Sequence, residues 1–165
     1  MFDYLLDRLA ALMVNTSLRM RQRHVRLHAA TFPNIDSSVS LGPNVVILAP
    51  PESVSIGSGT YINDAILSAS DECPVRIGQQ CAIGYRVSIK AVTHDLRDPV
   101  PNVAGAVAHK CAPIVIGDRC WIGDNVFIRE GVTLGNNVVV GANAVVTKSF
   151  PSGSVVAGVP AKLIR

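Results

Sequence analysis

The chain is short of charge, of aromatic rings and of long apolar runs. Charged residues make up 16% of its 165 residues and aromatic residues 5%. An ordinary helical bundle needs Lys and Glu on its solvent faces, so this composition argues against one. The apolar fraction, 48%, equally excludes a disordered chain. No CxxC pair occurs among Cys73, Cys81, Cys111 and Cys120, and no histidine stands at metal-finger spacing from them. The longest early apolar run, Leu9 to Val14, is too short for a signal core or a membrane span. Asp3 and Asp7 also occupy the stretch where a signal peptide needs positive charge. A cytoplasmic protein with reduced thiols is expected. The net charge of +3 favours anionic ligands weakly and gives no reason to expect a nucleic-acid partner.

What the chain has is glycine, proline and a repeat. The 13 Gly and 10 Pro punctuate short stretches rich in Val and Ile. Stepping by six from Ile116 meets Ile122, Ile128, Leu134, Val140 and Val146. Four places after each stand Cys120, Val126, Val132, Val138, Ala144 and Phe150. The same clock runs through Ile77, Ile83 and Ile89, through Ile56 and Ile62 with Thr60 and Ile66 at the second, corner-filling position, and through Ile35, Leu41 and Ile47. Branched aliphatics are roughly a fifth of ordinary sequence, so six consecutive hits by chance is on the order of one in ten thousand.

A period of six is neither helical nor that of a half-buried strand. It fits a flat strand and a turn per hexad, with three hexads closing one triangular coil. Stacked coils then share backbone ladders about 4.8 Å apart. This predicts an all-β solenoid, a parallel β-helix of about five coils beginning near Ile35, Ile56, Ile77, Ile116 and Leu134. Two interruptions stand out. One spans Ser68 to Pro74. The other, Asp95 to about Val115, is expected to protrude as a long loop, the kind of segment that is usually functional.

Residues 1–30 lack the clock and form a separate N-terminal segment ahead of a solenoid domain at 31–165. Leu5, Leu9, Leu12 and Met13 share one helical face, and Arg19, Arg21, Arg23 and Arg26 follow. The segment reads either as a helix covering the open end of the solenoid or as a basic amphipathic helix visiting a membrane surface.

His94 ends the third hexad of its coil, at a corner and directly before the long interruption. A neutral imidazole is the natural base for a hydroxyl near neutral pH. His24 and His28 read as solvated, and His109 as a surface residue within reach of a ligand.

These motifs resemble the hexapeptide-repeat, left-handed β-helix acyltransferases, and in particular their sugar O-acetyltransferase branch. The similarity runs from Asn63 to Arg165. It is carried by Thr93-His94-Asp95-Leu96-Arg97-Asp98-Pro99, by Pro113 to Gly117, Trp121 to Gly123 and Gly131 to Thr133, and by Val146 to Lys148 and Ala157 to Lys162. The His-Asp-x-x-Asp-Pro form is closest to exopolysaccharide and O-antigen acetyltransferases. The resemblance implies a left-handed coil, a homotrimer with sites shared between neighbours, acetyl-CoA as co-substrate and no catalytic metal.

It further implies that His94 is the general base. Asn63 would contact an acceptor sugar that is free, nucleotide-linked or lipid-linked, and Asp71 or Glu72 would either bond a sugar hydroxyl or orient His94. A backbone N–H near Gly123 and Asp124 would hold the oxyanion. Gly141 and Ala142 would line the pantetheine groove, and Thr147, Lys148, Lys162 and Arg165 would meet the coenzyme phosphates. Asp124 stands where some relatives carry Ser, and Lys162 where some carry Arg.

The resemblance points to acetylation in surface-polysaccharide biosynthesis. The runner-up is a xenobiotic acetyltransferase of the chloramphenicol or streptogramin type, although the stretch from Asp95 to Lys110 has no aromatic residue to stack on a drug. A carbonic-anhydrase-like metal site would need three histidines, and within the repeats only His94 is at hand. An ice-binding face would need ranked Thr-x-Thr ladders, which the sequence lacks.

Overall fold

The computed structural model describes residues 2–94 and 109–165, with side chains from residue 6 onward. One long helix, α1 (Phe2–Ala29), precedes three sheets of stacked short strands. The first sheet stacks Val54–Ile56, Val75–Ile77, Ile114–Ile116 and Thr133–Leu134. The second stacks Ser40–Leu41, Tyr61–Ile62, Ala82–Ile83, Trp121–Ile122, Val139–Val140 and Val155–Ala157, and ends with Lys162–Leu163. The third stacks Val46–Leu48, Ala65–Ser68, Val87–Lys90, Phe127–Ile128 and Val145–Val146. All pairings within the stacks are parallel except the last of the second sheet. The chain visits the sheets in turn, so it winds as a parallel solenoid.

The register aligns the aliphatic clock with itself. Ile56 pairs with Ile77, Ile77 with Ile116 and Ile116 with Leu134 on the first sheet. Ile83, Ile122, Val140 and Val156 do the same on the second. These residues are all buried, and the small residues four places on (Cys120, Val126, Val132, Val138 and Ala144) fill the space between them. At one position the clock misleads. Ile66 is exposed, and Ala65 and Leu67 face inward. They pair with Val87 and Ile89, so the turn after Ile62 is one residue shorter than the turn after Ile83.

Two of the three corners repeat closely. After the first sheet, Gly57, Gly78 and Gly117 pass directly over the next coil. A Cβ on Gly57 would lie 2.7 Å from the Gln79 nitrogen, a distance at which backbone must move. Gln80, Arg119 and Asn137 follow at positive φ, as do Arg86, Asn125 and Asn143 after the second sheet. Asn is the residue other than Gly that tolerates this region best. Its amides also link coils: Arg119 Nε donates to Asn137 Oδ1 at 2.8 Å, and Asn125 Nδ2 to Asn143 Oδ1 at 3.1 Å. The third corner carries every interruption.

The last turns of α1 meet the first coil. Val25 and Phe32 are buried there, and Gln22 Nε2 donates to the Leu41 carbonyl. Residues 6–21 of the same helix are exposed throughout. The helix therefore covers the solenoid end with its C-terminal turns only. Among the described residues no helix is long and apolar enough to cross a membrane.

Candidate active site

His94 stands where the chain leaves the third sheet. Val92–His94 forms an antiparallel ribbon with His109–Cys111, which closes both ends of the long interruption. The register pairs His94 with His109 directly, and the two rings stack with centroids 5.2 Å apart. Both side chains are exposed. Residues 95–108, with the Asp95, Asp98 and Pro99 of the sequence motif and most of the expected loop, lie outside the described residues.

Two fixed points hold this ribbon. Cys111 forms a disulfide with Cys73, where the sequence reading expected reduced thiols. The bridge joins the ribbon to the other interruption, so Asp71 and Glu72 are two residues and one residue, respectively, from a covalent link to the strand bearing His109. Both carboxylates are exposed. The other thiols, Cys81 and Cys120, are buried and free, donating to the carbonyls of Gly117 and Gly135 on the adjacent coil. The second fixed point is Glu130. Its side chain is 4% exposed and meets Lys110 Nζ at 3.3 Å and the Arg129 guanidinium more closely still. The Arg129 hydrogen bond holds the Glu130 carboxyl below the usual glutamate range, against the opposing effect of burial. Neither His109 nor Glu130 was singled out as a site residue from sequence. The available signal was a missing glycine: Gly57, Gly78, Gly84, Gly117 and Gly123 follow inward aliphatics of the first two sheets, whereas Lys90, Arg129 and Thr147 follow those of the third.

Asn63 lies elsewhere. It sits in the corner after the second sheet, half-buried, with its N–H given to the Ile83 carbonyl at 3.0 Å. Within one protomer it shares that corner with Gly123, Asp124, Gly141 and Ala142, and is separated from His94 by a full strand of the third sheet. The corner has an electrostatic irregularity. In the neighbouring corner three successive backbone N–H groups after the glycine are capped by the side chain one coil on. Gln79 donates to Asp118 Oδ1 at 3.0 Å, Asp118 to Asn136 Oδ1 at 2.8 Å and Asn136 to Ser152 Oγ at 2.9 Å. Here Tyr85 donates to Asp124 Oδ1 at 2.8 Å, and then the series stops. The next residue is Ala142, which has no acceptor, so the Asp124 N–H has no partner among the described residues. Gly123 offers nothing comparable, because its N–H is given to the Val140 carbonyl at 2.8 Å.

Residues 113–148 match the family of bacterial transferase hexapeptide (six repeats). An acetyltransferase of Dictyostelium discoideum is 42% identical over 112 residues, which is 68% of this chain and 57% of the relative. The chain thus spans somewhat over half the length of that relative. A hexapeptide-repeat acetyltransferase of Vibrio cholerae, solved with acetyl-coenzyme A, superposes with a TM-score of 0.68 at 28% identity, covering 91% of this chain and 87% of that one. A second structure of the Vibrio protein aligns at 32% identity and TM-score 0.62, over 79% of this chain and 68% of that one. The chain belongs to the hexapeptide-repeat acetyltransferase family. A maltose O-acetyltransferase of Clostridium difficile is a further neighbour, at 25% identity and TM-score 0.64, over 93% of this chain and 87% of that one.

In this hexapeptide-repeat protein the residues assigned to the coenzyme divide into two kinds. Lys148, Lys162 and Arg165 are exposed cations on or after the last full coil, and Thr147 is exposed beside Lys148. The Ala161 N–H bonds the Val145 carbonyl at 2.8 Å, which folds the C-terminal segment back over the strand leading to Thr147. Their charge and exposure suit phosphate groups. Lys148 Nζ rests 5.6 Å from the Phe150 ring centroid. Gly141 has a separate structural reason to be glycine, since a Cβ there would lie 2.9 Å from that of Ala157.

Proposed function

We propose that the protein is an acetyl-CoA-dependent O-acetyltransferase acting on a sugar hydroxyl, in surface-polysaccharide biosynthesis in the cytoplasm. The observation that carries the reading is the exposed His94 at the head of the interruption, on a hexapeptide-repeat scaffold. The coil is left-handed, with about five turns, and three copies form a trimer. In the trimer Asn63 of one copy reaches the His94 of the next, which accommodates their separation within one chain.

The acceptor hydroxyl approaches His94, and Asp71 or Glu72 contacts a neighbouring sugar hydroxyl. The His94 imidazole takes the hydroxyl proton as that oxygen bonds to the thioester carbonyl carbon. The Asp124 N–H holds the oxygen on which negative charge builds, a contact worth roughly 3–4 kcal/mol. The carbon–sulfur bond then breaks, and the imidazolium returns its proton to the departing sulfur. Gly123, Gly141 and Ala142 border the pantetheine arm. Lys148, Lys162 and Arg165, with the Thr147 hydroxyl, meet the phosphates.

Consumption of acetyl-CoA across a panel of sugars, nucleotide sugars and antibiotics tests the class of acceptor. Turnover of chloramphenicol or a streptogramin in preference to any sugar would replace this reading with the xenobiotic one. Light scattering that finds an active species near 17.5 kDa would remove the trimer. Loss of Lys148, Lys162 or Arg165 should weaken acetyl-CoA binding by about ten- to a hundredfold, with the acceptor KM little changed. The mutant of whichever cation holds the 3′-phosphate should no longer distinguish dephospho-coenzyme A.

A further inference from the structure

Helix α1 is held to the solenoid on one side and carries an apolar stripe on the other. Gln22 and Val25 make the contacts with the first coil. At 3.6 residues per turn, Leu6, Leu9, Leu12, Met13, Met20 and Leu27 fall within about 120° on the opposite side, with Met20 also bordering the groove against residues 45–48, while the exposed Val14 and Leu18 lie off the stripe. All six are exposed, Met13 by 70% and Met20 by 67%. Six such side chains left exposed together on one helix make an interaction surface.

The charge around the stripe says what covers it. Arg19 and Arg26 run along one edge with Arg23 just inside it, all exposed, and His24 stands on the other. The helix contains five arginines and two aspartates, a balance of +3 that equals the net charge of the whole chain. Asp7 falls on the solenoid side of the helix, away from the stripe. Two copies of this surface would bring like-charged edges together and have few acids to offset them. An anionic bilayer matches both features at once, with lipid tails for the stripe and headgroups for the arginines.

We infer that α1 is an interfacial anchor that docks the solenoid on anionic membrane surfaces. The stripe enters the headgroup boundary, the arginines contact phosphates, and the last helical turns keep the solenoid attached. This goes beyond acetyl transfer and does not depend on it.

Flotation of the full-length protein with vesicles tests the anchor. Binding is expected to phosphatidylcholine vesicles containing phosphatidylglycerol, falling as salt rises, and only weakly to phosphatidylcholine alone. Arg19→Gln, Arg23→Gln and Arg26→Gln should each weaken binding about fivefold, and together about a hundredfold. Leu9→Glu with Met13→Glu should abolish it, with an unchanged melting temperature because both sites are exposed. A wild type that fails to float on anionic vesicles overturns the inference. So does a Leu9→Glu, Met13→Glu protein that floats like wild type. If the same pair instead splits the oligomer in solution while wild type ignores vesicles, the stripe is a contact between copies.

Discussion

The corner after the first sheet and the corner after the third turn the same chain through the same angle, coil after coil, by opposite means. The first spends glycine, positive φ and a side-chain-to-backbone ladder on each turn, and it leaves no room for an extra atom. The third accepts a 3₁₀ turn at Pro51–Ser53, the disulfide, the ribbon and the Glu130 ion pairs at successive levels. Backbone of neighbouring coils is in contact at the first corner, so an insertion there would shift every later pairing by a register. At the third, the strands on either side are already paired, and extra residues loop outward. The His94–His109 pair and the Glu130 ion pairs lie at this corner, where side chains are placed off the six-residue lattice.

The largest expected effect is at the third corner. His94→Ala should lower kcat by about 10²–10⁴, the usual contribution of a general base, and leave the melting temperature in place, because the side chain is exposed. Near-wild-type turnover would move the base elsewhere.

The second tests the gap in the ladder. Ala142→Ser supplies the acceptor that Ser152 Oγ provides to Asn136 at 2.9 Å in the neighbouring corner. It should engage the Asp124 N–H and lower kcat by about 10²–10³, as loss of an oxyanion donor does. Stability should hold or rise slightly, since a hydrogen bond is gained. A variant with unchanged kcat would show that this N–H takes no part in turnover.

Why the first corner was legible from sequence and the third was not follows from the same contrast. Ile116, Ile122, Ile128 and Leu134 announce their inward positions because each is repeated by its neighbours. His94 was legible because it stands where the clock stops. Ile66 misled because a turn one residue short leaves the composition of the hexad intact while reversing which side chain faces inward. The Cys73–Cys111 bridge and the pairing of His94 with His109 depend on how the two ends of an interruption come back together, and no period encodes that. The vacancy at Asp124 was hidden for another reason. It is defined by what Ala142 lacks, relative to a ladder visible only once the coils are stacked.

A third prediction separates the corners by stability alone. Gly57→Ala places a Cβ 2.7 Å from the Gln79 nitrogen and 2.8 Å from the Gly78 carbonyl carbon, both backbone. It should cost about 1–3 kcal/mol in urea unfolding. One glycine inserted beside Asp71, in the exposed turn of the third corner, should cost much less. Equal costs would mean the two corners do not differ in tolerance.

The smallest effect concerns Glu130, the ion-paired carboxylate under the ribbon. Its native pKa is depressed, chiefly by the Arg129 hydrogen bond. A depressed carboxylate contributes stability that is present above the unfolded value, about 4.3, and is lost as pH falls through the native value. Glu130→Gln keeps the shape and removes the charge. Because Arg129 is 39% exposed and Lys110 49%, screening limits the difference to about 1 kcal/mol near neutral pH. That gap should narrow as pH falls from neutral through the depressed native value, where wild-type Glu130 takes up its proton. Urea unfolding of both proteins along a descending pH series reads it directly. A gap of the same size in acid would assign the contribution of Glu130 to packing, and the ribbon bearing His109 would then be held by the disulfide and its strand pairing, with no part played by charge.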